Sequence, residues 1–99
     1  MNTDILREQR VRIDELDEQL ICLLAERFEI TKTVGELKAK AGLPAADPKR
    51  ENEQIARLHE IARREGMDPV FGEKVFRLIV DEVIRHHLQS ADEHGDLRA

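Results

Sequence analysis

The sequence predicts an all-α protein with three helices per chain, one of them a very long N-terminal helix, assembled as an intertwined two-fold homodimer. Proline and glycine cluster at two places, and apolar residues recur at intervals of three or four between them. No segment shows the alternating pattern of a strand. The 99 residues suit a single domain covering residues 1–99, since domains of about 100 residues are common.

Glycine and proline mark where the helices begin and end. Each of the last two helices begins with an Asp-Pro pair, at Asp47 and Asp68, which is typical of an N-cap followed by the first helical residue. Gly42 and Gly66 stand where a left-handed residue ends a helix. The polar segment 90–99 is expected to fray. The predicted helices cover about residues 4–41, 48–65 and 69–89.

The length of the first helix predicts the dimer. A helix over 4–41 would be about 57 Å long, whereas a compact chain of this size has a radius of gyration near ~13 Å. Its apolar stripe would aggregate if it stayed exposed, so we expect the long helices of two chains to pack together, their ends covered by the partner's short helices. The alternative is a long surface helix with a frayed end. The stripe consists of Ile13, Leu16, Leu20, Leu23, Ile30, Val34 and Leu37.

Composition excludes several classes of protein. A net charge of −5 and only three aromatic residues disfavour a nucleic-acid binder, which needs a basic surface and stacking side chains. No apolar run approaches the ~20 residues that span a bilayer, so we expect no membrane association. A single cysteine, Cys22, excludes an internal disulfide and lies among leucines as an inert core thiol. We therefore expect a cytoplasmic protein.

Charged side chains interrupt the apolar rows of all three helices. Arg27 and Lys38 are three turns apart on the first helix, within about 20° of each other around its axis. Salt bridges, or side chains that reach the surface, would explain any one of these residues alone. Together they favour a polar pocket, to which Arg10 and Arg50 could add charge, and arginine pairs suit a small dicarboxylate. The interrupting residues are Arg27, Lys38, Glu51 and His87.

The sequence shows no nucleophile, nucleotide-binding loop or metal site. The adjacent histidines at 86 and 87 diverge on a helix, so a metal cluster with the neighbouring acids is a weak interpretation. Cations and hydrogen-bond donors without a nucleophile predict binding, or a reaction that needs only positioning and electrostatics. We therefore expect neither a metal ion nor a cofactor.

Four short motifs on the first two helices carry a resemblance to a known family. The chain resembles the all-helical chorismate mutases over about residues 5–88. The resemblance implies a three-helix chain in an intertwined dimer, in agreement with the length argument. The motifs are Arg10-x2-Ile13-x2-Leu16-Asp17-x2-Leu20, Leu23-Leu24-Ala25-Glu26-Arg27, Val34-Gly35-x2-Lys38 and Asp47-x2-Arg50-Glu51.

The resemblance also implies a reaction and a role for each site residue. The family converts chorismate to prephenate, on the path to phenylalanine and tyrosine, in a pericyclic step without cofactor or covalent intermediate. We therefore expect an isomerase, and a monofunctional one, because the sequence shows no appended dehydrogenase or dehydratase. The resemblance implies that Arg27 and the other subunit's Arg10 hold the two carboxylates of the substrate. It also implies that Lys38 stabilises charge on the ether oxygen. Glu51 and the backbone near Asp47 would bind the ring hydroxyl, and Arg50 would add positive potential.

Two positions on the third helix depart from the family pattern. Val83 stands where the family often has a small polar residue that contacts substrate, and His87 replaces the glutamine that donates to the ether oxygen. These departures leave the substrate open, because relatives on this scaffold act on 4-amino-4-deoxychorismate or eliminate pyruvate from isochorismate. An alternative of another class is a non-catalytic helical dimer that regulates a partner enzyme of the shikimate pathway.

Overall fold

Three helices make up the regular structure of the part of the chain that is described. The computed structural model describes the backbone of residues 2–98 and the side chains of residues 2–89. It divides into two units, Met1–Thr31 and Lys32–Ala99. The prediction of an all-α chain with three helices is confirmed. The helices are α1 (Asn2–Lys40), α2 (Pro48–Arg64) and α3 (Pro69–Arg98).

Both predicted glycine stops end a helix in the left-handed conformation. Gly42 has a φ of 69° and Gly66 a φ of 75°, values that side chains other than glycine rarely adopt. After Gly42, the Leu43 amide donates to the Lys38 carbonyl at 2.9 Å. After Gly66, the Met67 amide donates to the Ala62 carbonyl at 2.8 Å. These bonds satisfy carbonyls that the helix itself leaves without a donor.

Both predicted aspartate caps are also present. The Asp47 Oδ1 accepts from the Arg50 amide at 3.1 Å, and the Asp68 Oδ1 accepts from the Val70 amide at 2.9 Å. Each cap satisfies an amide in a first turn, where the helix supplies no acceptor.

Replacing Asp68 by alanine is expected to lower the free energy of unfolding by about 1 kcal/mol, since the cap is lost. Urea denaturation followed by far-UV circular dichroism measures this value. Asp81→Ala, an exposed aspartate within the same helix, is the matched control and should have a much smaller effect. Equal effects of the two substitutions would contradict a capping role.

The second unit is built around the contact between α2 and α3. Phe76 and Ala62 are its buried residues, with 3% and 6% of their surfaces exposed. A Cβ placed on Gly72 would lie 3.7 Å from the Cβ of Ala62, so small residues bring the two helices close. His59 on α2 lies 3.0 Å from the Glu73 carboxylate on α3. The apolar sides of α2 and α3 thus face each other.

The predicted end of the third helix is wrong. Helix α3 continues to Arg98, whereas the apolar row suggested an end near 89 and a frayed segment 90–99. The row does stop at Leu88, but the loss of apolar residues does not end a helix. No proline follows, and Ala91, Glu93 and Leu97 have high helix propensity, so the backbone hydrogen bonds can continue.

The apolar stripe of α1 is exposed along its whole length in the single chain. Its seven members range from 41% exposed at Val34 to 64% exposed at Leu23. Such a continuous apolar surface is rare on monomeric proteins. None of the helices among the described residues has the length and apolar character needed to cross a membrane.

Candidate active site

In the first unit, α1 carries two of the predicted cationic residues at very different places. Arg27 is half-buried, whereas Arg10 is exposed. The two residues are 17 positions apart on one helix, which separates their Cα atoms by about 25 Å at a rise of ~1.5 Å per residue. Two side chains so far apart cannot hold the same small molecule within one chain.

In the second unit, His87 packs against the last turns of α1. A Cβ built on Gly35 would overlap the imidazole Nε2 and lie 2.7 Å from Cδ2, so the ring tip occupies the space that a side chain would need. His87 is half-buried, and its Nε2 is fully buried without a hydrogen-bond partner among the described residues. A buried polar atom of this kind is costly unless a ligand satisfies it.

Lys38 follows Gly35 by three positions, on the same side of α1. Residues three apart are neighbours on a helix surface, so the lysine lies on the side where the His87 ring packs. Lys38 is half-buried, although its neighbours Leu37 and Ala39 are exposed. The structure therefore brings one cation and one imidazole to the same region.

The first turn of α2 holds three further predicted residues. Asp47 is exposed and caps the helix, with its carboxylate directed to the Arg50 amide. Arg50 is exposed, whereas Glu51 is half-buried. Glu51 lies at the N-terminal end of α2, where the helix dipole favours a carboxylate. The cap thus fixes the conformation of the backbone on which Glu51 stands.

Val83 precedes His87 by one turn of α3. It is half-buried and lies on the same side of the helix as the imidazole. Its isopropyl group can exclude water, but it offers no donor or acceptor. Any hydrogen bond to a ligand on this side of α3 must therefore come from another residue, such as His87 one turn away.

Glu82, which precedes Val83, has an electrostatic environment of its own. A hydrogen bond from Arg85 lowers the pKa of the Glu82 carboxyl, partly offset by desolvation, with smaller attractions from the charges of Arg85, His86 and Lys32. The same carboxylate raises the pKa of Arg85. Because Lys32 belongs to α1, a carboxylate of α3 faces a cation of α1 near the His87 contact.

Gly35 is the site residue whose role the sequence reasoning missed. The motif that contains Gly35 gives it no role of its own, yet it provides the space for the His87 ring. A signal was present, because it is the one glycine within residues 4–41, and glycine inside a helix costs about 1 kcal/mol relative to alanine. An isolated helical glycine usually has a packing or functional reason.

In the second unit, Lys38 and the His87 imidazole limit the chemistry that their region can perform. They can attract carboxylates and donate to an oxygen that gains negative charge. Within residues 2–89, no group of three or more histidine, cysteine, aspartate or glutamate side chains is placed to hold a metal ion. The fold is all-α, and Lys38 gives this region a positive charge that can attract an anion.

The sequence is similar to a known family and to several known proteins. The model of the chorismate mutase type II family matches residues 9–88. The chain is 34% identical over 76 residues to the chorismate mutase of Methanocaldococcus jannaschii, with 77% of each chain covered. It is 37% identical over 79 residues to the bifunctional chorismate mutase/prephenate dehydratase of Aquifex aeolicus, and 30% identical over 93 residues to the Escherichia coli protein of that name.

This chain belongs to the chorismate mutase type II family. The resemblance predicted from the four motifs is therefore confirmed. The matched regions cover 80% and 87% of this chain but only 22% and 24% of the two bifunctional relatives. The similarity to those relatives is thus confined to one part of each of them.

Proposed function

We propose that this chain is a chorismate mutase, an isomerase that converts chorismate to prephenate in aromatic amino-acid biosynthesis. Membership of the type II family supports the activity. The structural observation that carries the proposal is the contact of His87 with Gly35, one turn from the half-buried Lys38. An ammonium and an imidazole in one region can stabilise an oxygen that becomes negatively charged during a reaction.

The proposed mechanism needs only positioning and electrostatics. Chorismate must be held in a compact conformation, in which its ether C–O bond breaks as a new C–C bond forms. No proton or electron pair enters or leaves the substrate, so the enzyme needs neither a nucleophile nor a cofactor. Arg27 and Arg10 hold the two carboxylates, while Lys38 and the His87 imidazole donate to the ether oxygen.

The first turn of α2 would bind the ring hydroxyl. The Glu51 carboxylate accepts from it, the backbone near Asp47 provides a further polar contact, and Arg50 adds positive potential. Val83 would contribute an apolar contact to the substrate from α3. A carboxylate accepts equally from a hydroxyl and from an amine, so 4-amino-4-deoxychorismate fits the same contacts.

The active form is proposed to be an intertwined homodimer with shared active sites. The separation of about 25 Å between Arg10 and Arg27 supports it, because both can contact one substrate only if Arg10 comes from a second chain. The exposed stripe of α1 supports it too, since fully burying a leucine or isoleucine contributes about 2 kcal/mol. A partner enzyme of the shikimate pathway and the cytoplasmic location stay predictions.

Incubation with each of three substrates tests the proposed function. Purified protein is mixed separately with chorismate, 4-amino-4-deoxychorismate and isochorismate, and the products are identified by mass spectrometry and NMR. We expect prephenate from chorismate at the highest kcat/KM. Pyruvate from isochorismate, or aminodeoxyprephenate as the preferred product, would reassign the substrate. Consumption of none would favour the non-catalytic dimer.

A further inference from the structure

At Gly35, α1 contacts α3 through a single side chain, that of His87. A Cβ on Gly35 would meet three atoms of the His87 ring: Nε2, with which it overlaps, Cδ2 at 2.7 Å and Cε1 at 3.1 Å. These atoms form the tip of the imidazole, so the ring points into α1. Gly72 provides the comparison, because a Cβ there meets only a methyl group, at 3.7 Å.

An imidazole cannot easily make room for a methyl group at position 35. Its ring is rigid and planar, and only two side-chain torsions orient it, so a displaced tip moves the whole ring. The atom that would move most is the buried Nε2, which has no hydrogen-bond partner within residues 2–89. A glutamine side chain has one more torsion and can bend its amide around an obstacle.

We propose that Gly35 is a positioning residue for His87, because its missing side chain leaves the space into which the tip of the imidazole packs, and this packing holds the ring near Lys38. The inference rests on the proposed function, since it concerns how the ether-oxygen donor is placed. It adds a coupling between two helices, in which the residue on α1 determines which side chain can work at position 87 on α3. Gly35 itself touches no substrate.

A double-mutant cycle of Gly35→Ala and His87→Gln tests the coupling, with kcat and KM for chorismate measured for all four proteins. Gly35→Ala alone is expected to lower kcat at least about tenfold and to change KM less. In the His87→Gln background, the same change should lower kcat less than about threefold. An equal loss in both backgrounds, or no loss in the first, overturns the proposal.

Gly72→Ala is the matched control, since it also replaces a helical glycine but meets no ring. It should leave kcat and KM unchanged. If Gly35→Ala lowers the melting temperature below the assay temperature, the double variant Gly35→Ala/His87→Ala removes the obstructing ring and should restore it. Failure of this restoration also overturns the proposal.

An NMR measurement separates failure of this inference from failure of the proposed function. The His87 Cε1–H resonance is assigned by its loss in His87→Gln, and no substrate is added. Gly35→Ala should shift this resonance, and Gly72→Ala should not. If the wild-type protein converts no chorismate but Gly35→Ala still shifts this resonance, the proposed function is refuted and the positioning role of Gly35 is retained. If Gly35→Ala leaves the resonance unshifted, the positioning role is refuted, whatever the activity.

Discussion

Lys38→Ala is expected to lower kcat for chorismate by about a thousandfold, close to complete loss, while the three helices persist. In the proposed mechanism the ammonium stabilises the charge that develops on the ether oxygen, and removing one such donor from an active site costs about a hundred- to a thousandfold. The steady-state rate of chorismate consumption measures the loss. Circular dichroism and the melting temperature show whether the fold is retained.

Lys40→Ala is the matched control, because Lys40 is on the same helix and exposed. It should retain full activity. Lys38→Met separates an enzyme from a simple dimerisation module, since it keeps the length of the side chain and removes its charge. In a module without a ligand, an apolar replacement of this half-buried cation should stabilise the protein without any functional cost. Full turnover by Lys38→Met would exclude the proposed role.

Mixing two inactive variants is expected to restore activity. If Arg10 completes the site of the opposite chain, Arg10→Ala and Lys38→Ala are each inactive alone. In a mixed dimer, one site then receives the intact Lys38 of one chain and the intact Arg10 of the other. The second site carries both substitutions. Random exchange of equal amounts should therefore return about a quarter of the wild-type activity, because half the dimers are mixed.

The exchange is made by unfolding the two variants together in urea and refolding them by dilution. Arg27→Ala mixed with Lys38→Ala is the control, because both residues belong to the same chain's share of the site. In that mixed dimer each site carries one substitution, so activity should stay low. Equal recovery from the two mixtures, or none from the first, would contradict a site shared in the proposed way.

The ends of the helices at both connections could be predicted from the sequence because they depend on local chemistry. Asp47 and Asp68 cap with their own side chains, and Gly42 and Gly66 adopt the one backbone conformation that favours glycine. The far end of α3 has no such signal. Its apolar row stops before its backbone hydrogen bonds do, so periodicity placed the end too early.

The candidate site could be predicted only in part. Reading Arg27, Lys38, Glu51 and His87 against the apolar rows selected residues that are all half-buried. The contact between His87 and Gly35 could not be predicted in the same way, because it depends on how α3 lies across the end of α1. Spacing along one helix tells which residues share a side, and it carries no information about the neighbouring element.

In the proposed homodimer, the distance between Arg10 and Arg27 along one helix would have a consequence for how much active enzyme a cell obtains from its protein. A single chain would hold no complete active site, so specific activity would fall on dilution as the assembly separates. A defective allele that lacks Arg10 would also impair sites built on intact subunits. Dosage and dominance would then depend on the length of α1.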